Sequence, residues 1–301
     1  MVLSQNPQLS QIIKDNKPAT IFKEVASIIN DHYGKAAIGP ARNCFDLTVK
    51  LFNGKLGNYR KCNTEYHDLP HTMDVFLATA RILDGYILVN GMIGERLAIQ
   101  LLIAALLHDS GYIQEQQDTA GTGAKYAFCH VERSRSFARQ HHKELRLDEE
   151  DAEAVARIIK GTEYSIDFQK LSYASAEERQ AGAMLAAADL IGQMADRIYL
   201  EKLLFLYYES IEAGVMGFNT EFDILKKTVE FYEVTRKRLN ESLGNMGRYA
   251  RLHFLKRHKI DENLYETAIE RNMAYLHMIL DDATTNFRYK LKRGSLFRKS
   301  L

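Results

Sequence analysis

An all-α fold is what this sequence predicts, on three observations. The 301 residues include 18 Gly and only 4 Pro, too few turn formers for a many-stranded sandwich or barrel. Apolar residues recur at three- and four-residue spacing over long stretches, the period of a helix with one buried face. The run Leu97–Leu107 is apolar or Ala except at Gln100. It has no polar face to show water and reads as a fully buried helix. Its Leu and Ala favour helix, and Glu95 and Arg96 extend it upstream.

The composition narrows the function classes. Hydrophobic residues make up 46% and charged residues 26%, as in ordinary globular domains. A formal net charge of +1 supplies no field to recruit nucleic acid or a membrane surface, and no specific nucleic-acid partner is expected. Cys44, Cys62 and Cys129 are odd in number and form no CxxC pair, the usage of reduced thiols in the cytoplasm. The first residues show neither a basic n-region nor an apolar h-region, so no secretory leader is read. The run at 97–107 falls well short of the roughly 20 residues a membrane helix needs.

The elements follow in order. Residues 1–18 are polar and read as a loose lead. Ile21, Phe22, Val25, Ile28 and Ile29 form a helical stripe ending near Tyr33. Residues 34–40 are a loop. A second amphipathic helix spans Asn43 to Phe52, and 54–63 is a polar connector. Asp68 can cap a helix whose first turn tolerates Pro70; it runs to about Asp84, with Gly85 beyond. The buried helix follows, and Gly111 reads as its stop. Residues 114–125 are a polar loop long enough to act as a lid or binding loop. Further helices are predicted over Tyr126 to Glu144, Glu149 to Lys160 with Asp148 as cap, Glu177 to about Glu212 as one or two pieces, Thr220 to Leu243, and Glu262 to Leu280. Phe205, Tyr207 and Tyr208 read as core. The stretch Arg288 to Lys299 is a basic tail, read as solvated.

Chemistry concentrates where these helices begin or end. His71 opens one helix, and His108 and Asp109 close the buried one. A helix C-terminus has unpaired carbonyls and the negative end of the dipole, which suits a cation. Asp189 lies in the apolar stretch Ala186–Ile191, where a carboxylate is costly unless paired, and a divalent cation is its strongest partner. Two imidazoles and two carboxylates make a mixed nitrogen and oxygen set, which suits manganese, iron, zinc or magnesium rather than a thiolate metal.

The order His71, His108-Asp109, Asp189 resembles the HD superfamily of metal-dependent phosphohydrolases. The block Tyr66-His67-x-x-x-His71, with Asp74-Val75 behind it, is similar to the signature of the cyclic-nucleotide phosphodiesterase branch, and Ala188–Asp196 to the closing block of bacterial members. The resemblance covers about residues 60–200. It implies an HD-type, phosphodiesterase-like helical bundle within a single helical domain, 1–301, with accessory helices at 19–59 and 201–285 and a tail at 288–301. It implies that His71, His108, Asp109 and Asp189 hold one or two divalent ions, with Asp109 able to bridge to a second. It implies hydrolysis of a phosphoester, a cyclic nucleotide or another nucleotide, by metal-activated water. Asp109 and His67 are then catalytic, His67 as the acid that protonates the leaving oxygen.

Two departures stand out. The phosphodiesterase signature has Asn where this chain has Asp68; an acid beside His67 favours its protonated form. The two-metal HD-GYP group has a paired histidine after the helix ending at Ile159, where this chain has Lys160-Gly161-Thr162. His141 and His142 come too early and read as solvated. His130 remains a candidate beside the metal or at a second one. Glu132 and Arg133 read as surface charges. Lys160, Thr162 and Gln193 are candidate substrate contacts, and Asp196 lies one turn further along. A homodimer is compatible with all of this. The rival readings are a non-catalytic nucleotide-sensing HD module and an HD oxygenase with two irons.

Overall fold

A computed structural model describes residues 8–12 and 15–293. Among them there are thirteen α-helices and no strand, only two isolated bridges, Asn53 to Lys61 and Tyr59 to Glu115. The fold is all-α, as predicted.

Helix α1 is a single turn, Leu9–Ile12, inside the lead read as loose. Helices α2 (Pro18–Tyr33) and α3 (Gly39–Phe52) carry their apolar stripes inward. Helix α4 (Leu69–Asn90) is capped as predicted: Asp68 accepts from the His71 amide at 2.8 Å. It continues six residues past Asp84, so Gly85 does not end it. Gly85 is where α4 meets the backbone of a later helix, and a Cβ there would overlap the Tyr249 carbonyl oxygen. Helix α5 (Glu95–Leu107) is buried from Ala98 to Leu107. Gly111 is likewise no helix stop but part of the turn Ser110–Tyr112, pressed against the His130 carbonyl.

The segment read as one helix over 126–144 is broken. A turn at Gly123–Tyr126 precedes α6 (His130–Gln140) and the short α7 (His142–Leu145). Helix α8 (Glu149–Ile159) has its Asp148 cap. The 177–212 stretch is two helices, α9 (Ala176–Met194) and α10 (Tyr199–Glu212). Helix α11 (Glu221–Lys237) starts on a capping box from Thr220 and Asp223 and continues as a wider turn to Ser242. Helix α12 (Ala250–His258) lies in a stretch assigned no element from sequence; α13 (Leu264–Asp281) matches.

Helix α4 is the axis of the molecule. It packs against α2, α5, α9 and α12 at once, which is why nearly every residue from His71 to Ile87 is buried. The end of α5 therefore sits inside the protein, while α4 starts nearer the surface, with Pro70 exposed and His71 its first buried side chain. Three basic residues in the described part of the tail are paired: Arg288 with Glu221, Lys290 with Asp282, and Arg293 with the Asn272 amide oxygen, while Lys292 is exposed. Residues 294–301 lie outside the described region. No helix among the described residues is long and apolar enough to cross a membrane.

Candidate metal centre

Each candidate ligand is placed by a local device. The Asp68 cap fixes the first turn of α4 and with it His71. At the end of α5, the His108 Nδ1–H donates to the Ala105 carbonyl at 2.9 Å, which selects the tautomer with a lone pair on Nε2. The turn that follows is stitched to α6: Ser134 Oγ donates to the His108 carbonyl at 2.6 Å and accepts from the Gly111 amide at 2.8 Å. Small residues Ala186, Ala187 and Ala188 let α9 approach α4 closely, which brings Asp189 to the same place.

Three donor atoms converge, from His71, His108 and Asp189, all within 4.8 Å of one another, and Asp109 Oδ2 stands beside the two imidazoles. His71 Nε2 is 3.4 Å from His108 Nε2, and 3.3 Å from both Asp109 Oδ2 and Asp189 Oδ1. His108 Nε2 is 3.3 Å from Asp109 Oδ2 and 3.6 Å from Asp189 Oδ1. Donors about 2.1 Å from one cation stand about 3 Å apart at right angles and about 3.4 Å apart at tetrahedral angles. Asp109 Oδ2 is buried with no hydrogen-bond partner, although two imidazole nitrogens lie beside it. Those atoms face a shared point rather than each other. On that orphaned oxygen and this donor set, the residues fit a divalent cation.

The electrostatics agree. Burial lowers the His71 imidazole, but Asp109 and Asp189 overcome it and push it up to about 9; His108 is raised for the same reasons. Burial opposes ionisation of Asp109 and Asp189, yet the two imidazoles hold both carboxyls well below their ordinary range. The pocket draws positive charge to itself. Asp189, read from sequence as buried, keeps 22% of its side chain exposed because it faces a cavity of about 490 Å³.

That cavity has His67, His130 and Asp189 on its wall, with Leu190, Leu203, Leu206, Ile224 and Phe231 around it. His67 belongs to a short network. Its Nδ1–H donates to Glu209 Oε2 at 2.7 Å, while Glu209 Oε1 accepts from the Glu65 and Tyr66 amides at 2.8 and 2.7 Å. Glu209, on α10, is therefore the acid beside His67; Asp68 is spent on the α4 cap, with Lys202 at 3.9 Å. The Tyr112 ring stacks with two imidazoles, 4.3 Å from His67 and 4.4 Å from His130, and those two are 6.2 Å from each other. His130 Nδ1–H donates to the Ala127 carbonyl, and its Nε2 stands 3.9 Å from Asp109 Oδ1.

The remaining sequence candidates divide. Thr162 and Gln193 line the cavity, although the Thr162 hydroxyl also donates to the Ile159 carbonyl. Lys160 is not on that wall and faces Glu163 at 3.4 Å. Asp196 points away, toward Lys202 at 3.1 Å. Arg133 is structural: it donates to the Gly111 and Ile113 carbonyls and stacks on Tyr126. His141 is not solvated but held by the Tyr59 hydroxyl at 2.8 Å and packed on Phe137. Tyr208 is exposed and bonded to Glu221, so it is not core. The 114–125 loop is pinned by Lys125 and Tyr126 on Asp118 and by Glu212 on Thr122. It does not line the cavity; Ala127, Phe128 and His130 do.

Sequence reasoning missed Glu209 and the stacking of Tyr112 with His67 and His130. Glu209 stands 142 residues from its partner, and only a carboxylate turned inward on an amphipathic helix hinted at it. A family model described as Npun_R2479-like matches residues 115–246. That stretch of similarity carries Asp189, Gln193 and Glu209 but stops short of His67, His71, His108 and Asp109. No curated protein matches the chain.

Proposed function

We propose that this chain is a metal-dependent phosphohydrolase of the HD type, acting on a phosphoester of nucleotide size. The observation that carries the reading is the grouping of the His71, His108 and Asp189 ligand atoms within 4.8 Å of one another, with Asp109 Oδ2 3.3 Å from both imidazoles, beside an open cavity. A divalent cation held there would supply a Lewis acid and a water acidified toward neutral pH.

The chain's own residues supply the rest. Glu209 accepts from His67 Nδ1–H and so turns the Nε2 edge toward the cavity, near the Tyr112 hydroxyl at 3.5 Å. From there a protonated His67 can deliver its proton to the oxygen that leaves phosphorus. Tyr112 keeps the ring from swinging. Leu190, Leu203 and Phe231 exclude water from the body of the substrate, and Gln193 and Thr162 offer it polar contacts. Lys227 is the one Lys or Arg among the described residues lining this cavity. A single ester phosphate suits such a wall better than a polyphosphate tail, which recruits several cations.

The test pairs metal content with turnover. Manganese- or zinc-loaded protein is assayed against bis-p-nitrophenyl phosphate, cyclic nucleotides and mononucleotides. Hydrolysis is expected, and His108→Ala loses bound metal and activity together. His67→Gln keeps its metal and loses about 10²–10⁴-fold in kcat. A metal-loaded chain that cleaves none of these esters overturns the reading.

A further inference from the structure

On the far side of α4, two imidazole nitrogens are buried and bonded to nothing: Nε2 of His253 and Nε2 of His258. Both residues belong to α12, and His258 is its last residue, followed by Lys259 in the left-handed region. Their rings are 5.6 Å apart. Glu24 reaches the same place from α2, and one ligand atom of each of Glu24, His253 and His258 lies within 4.8 Å of the others. His253 is wholly buried.

We infer that Glu24, His253 and His258 form a second divalent-metal site, suited to zinc and independent of the cradle at His71. The support begins with orientation. His253 Nδ1–H donates to Asp84 Oδ2 at 2.7 Å, which fixes the ring and leaves the Nε2 lone pair aimed at His258 and Glu24. Carboxylate-held histidines of this kind are the usual partners of zinc. Asp84 is itself fixed by Arg257 at 2.6 Å and His32 at 2.6 Å, so the ring it holds cannot turn.

Protonation favours the same reading. Burial, aided by the charge of Arg81, pushes His253 down to about 4 against the pull of Asp84. Burial and Arg81 lower His258 as well. Both rings are therefore neutral near pH 7, the form that binds metal. Arg81 and Arg257 are the nearby positive charges a cation must tolerate; Arg81 reaches the Tyr265 hydroxyl at 3.1 Å and the Phe254 ring, and Arg257 is bonded to Asp84. Glu24 and Asp84 offset them. Two imidazoles and a carboxylate leave a fourth position for water, the coordination zinc accepts most readily. Such an ion ties α2 to α12 across α4. It is a clamp remote from the cavity.

The full-length chain is saturated with zinc chloride, freed of excess by gel filtration, and its zinc counted by elemental analysis. His258→Ala and, separately, Glu24→Gln are each expected to lose one zinc per chain while phosphoester hydrolysis stays at the wild-type rate. His71→Ala loses zinc from the other cradle and keeps this one. Cobalt in place of zinc gives a visible four-coordinate absorption that weakens in His258→Ala. If folded His258→Ala and Glu24→Gln both hold as much zinc as the wild type, only water joins these nitrogens and the inference is overturned. If the two variants lose zinc while no preparation hydrolyses a phosphoester, this site stands and the catalytic reading falls.

Discussion

At the scale of single residues, the structure separates holding an imidazole from capping a helix. Asp68 stands next to His67 in sequence, yet it bonds the His71 amide; Glu209 does the holding. Glu209→Gln keeps the shape but weakens a charge-assisted bond. The variant is expected to bind metal as the wild type does and to lose about 10–100-fold in kcat, with its pH profile shifted. Unchanged kcat across pH would show that Glu209 serves only the Glu65 and Tyr66 amides. His71, His108, Asp109 and Asp189 were legible as a set because each is a polar group in an apolar or helix-terminal setting, which demands a reason. Glu209 was not, because its reason lies in the bend before α4, 142 residues away in sequence.

At the scale of elements, apolar period located most helices, and errors gathered at glycines. Gly85 and Gly111 sit where a helix stop is plausible from sequence, but each permits backbone contact with a distant segment, and contact across the fold leaves no local trace. The consequence is measurable at Gly85. Replacing Gly by Ala inside an ordinary helix stabilises by about 1 kcal/mol. Here the new Cβ meets the Tyr249 carbonyl, and overpacking costs about 1–3 kcal/mol. Gly85→Ala is therefore expected to lower the urea midpoint; a raised midpoint would mean that α12 shifts freely against α4. The omission of α12 has the same origin, since its buried side is made by His253 and Phe254 and not by an aliphatic stripe.

At the scale of the whole molecule, α4 buries Arg81 and Asp84 and sets Asp74, its one partly buried position between His71 and Ile87, beside another carboxylate. Burial, reinforced by the neighbouring Asp196 carboxylate, pushes the Asp74 carboxyl up to about 7, from an ordinary value of 3.8. The folded state then binds a proton that the unfolded chain has released. Stability is greatest near pH 4 on this account and falls as pH rises from about 4 to about 7. Asp74→Asn is expected to flatten that slope and to raise stability at pH 8 by roughly 2–4 kcal/mol. Urea denaturation at pH 5, 6, 7 and 8 checks it, and parallel curves for the two proteins would refute it.

The cluster of three rings beside the cavity has a mechanical consequence. With His67 and His130 both stacked on Tyr112 and 6.2 Å from each other, the three rings form one packed cluster, and each resists turning alone. Any adjustment to a guest must come from the facing side. There Val215 and Phe218 stand on a bend whose Gly214 and Gly217 adopt positive φ. On the proposed function, changes to the bend are expected to alter which substrates are admitted and to leave proton transfer by His67 untouched.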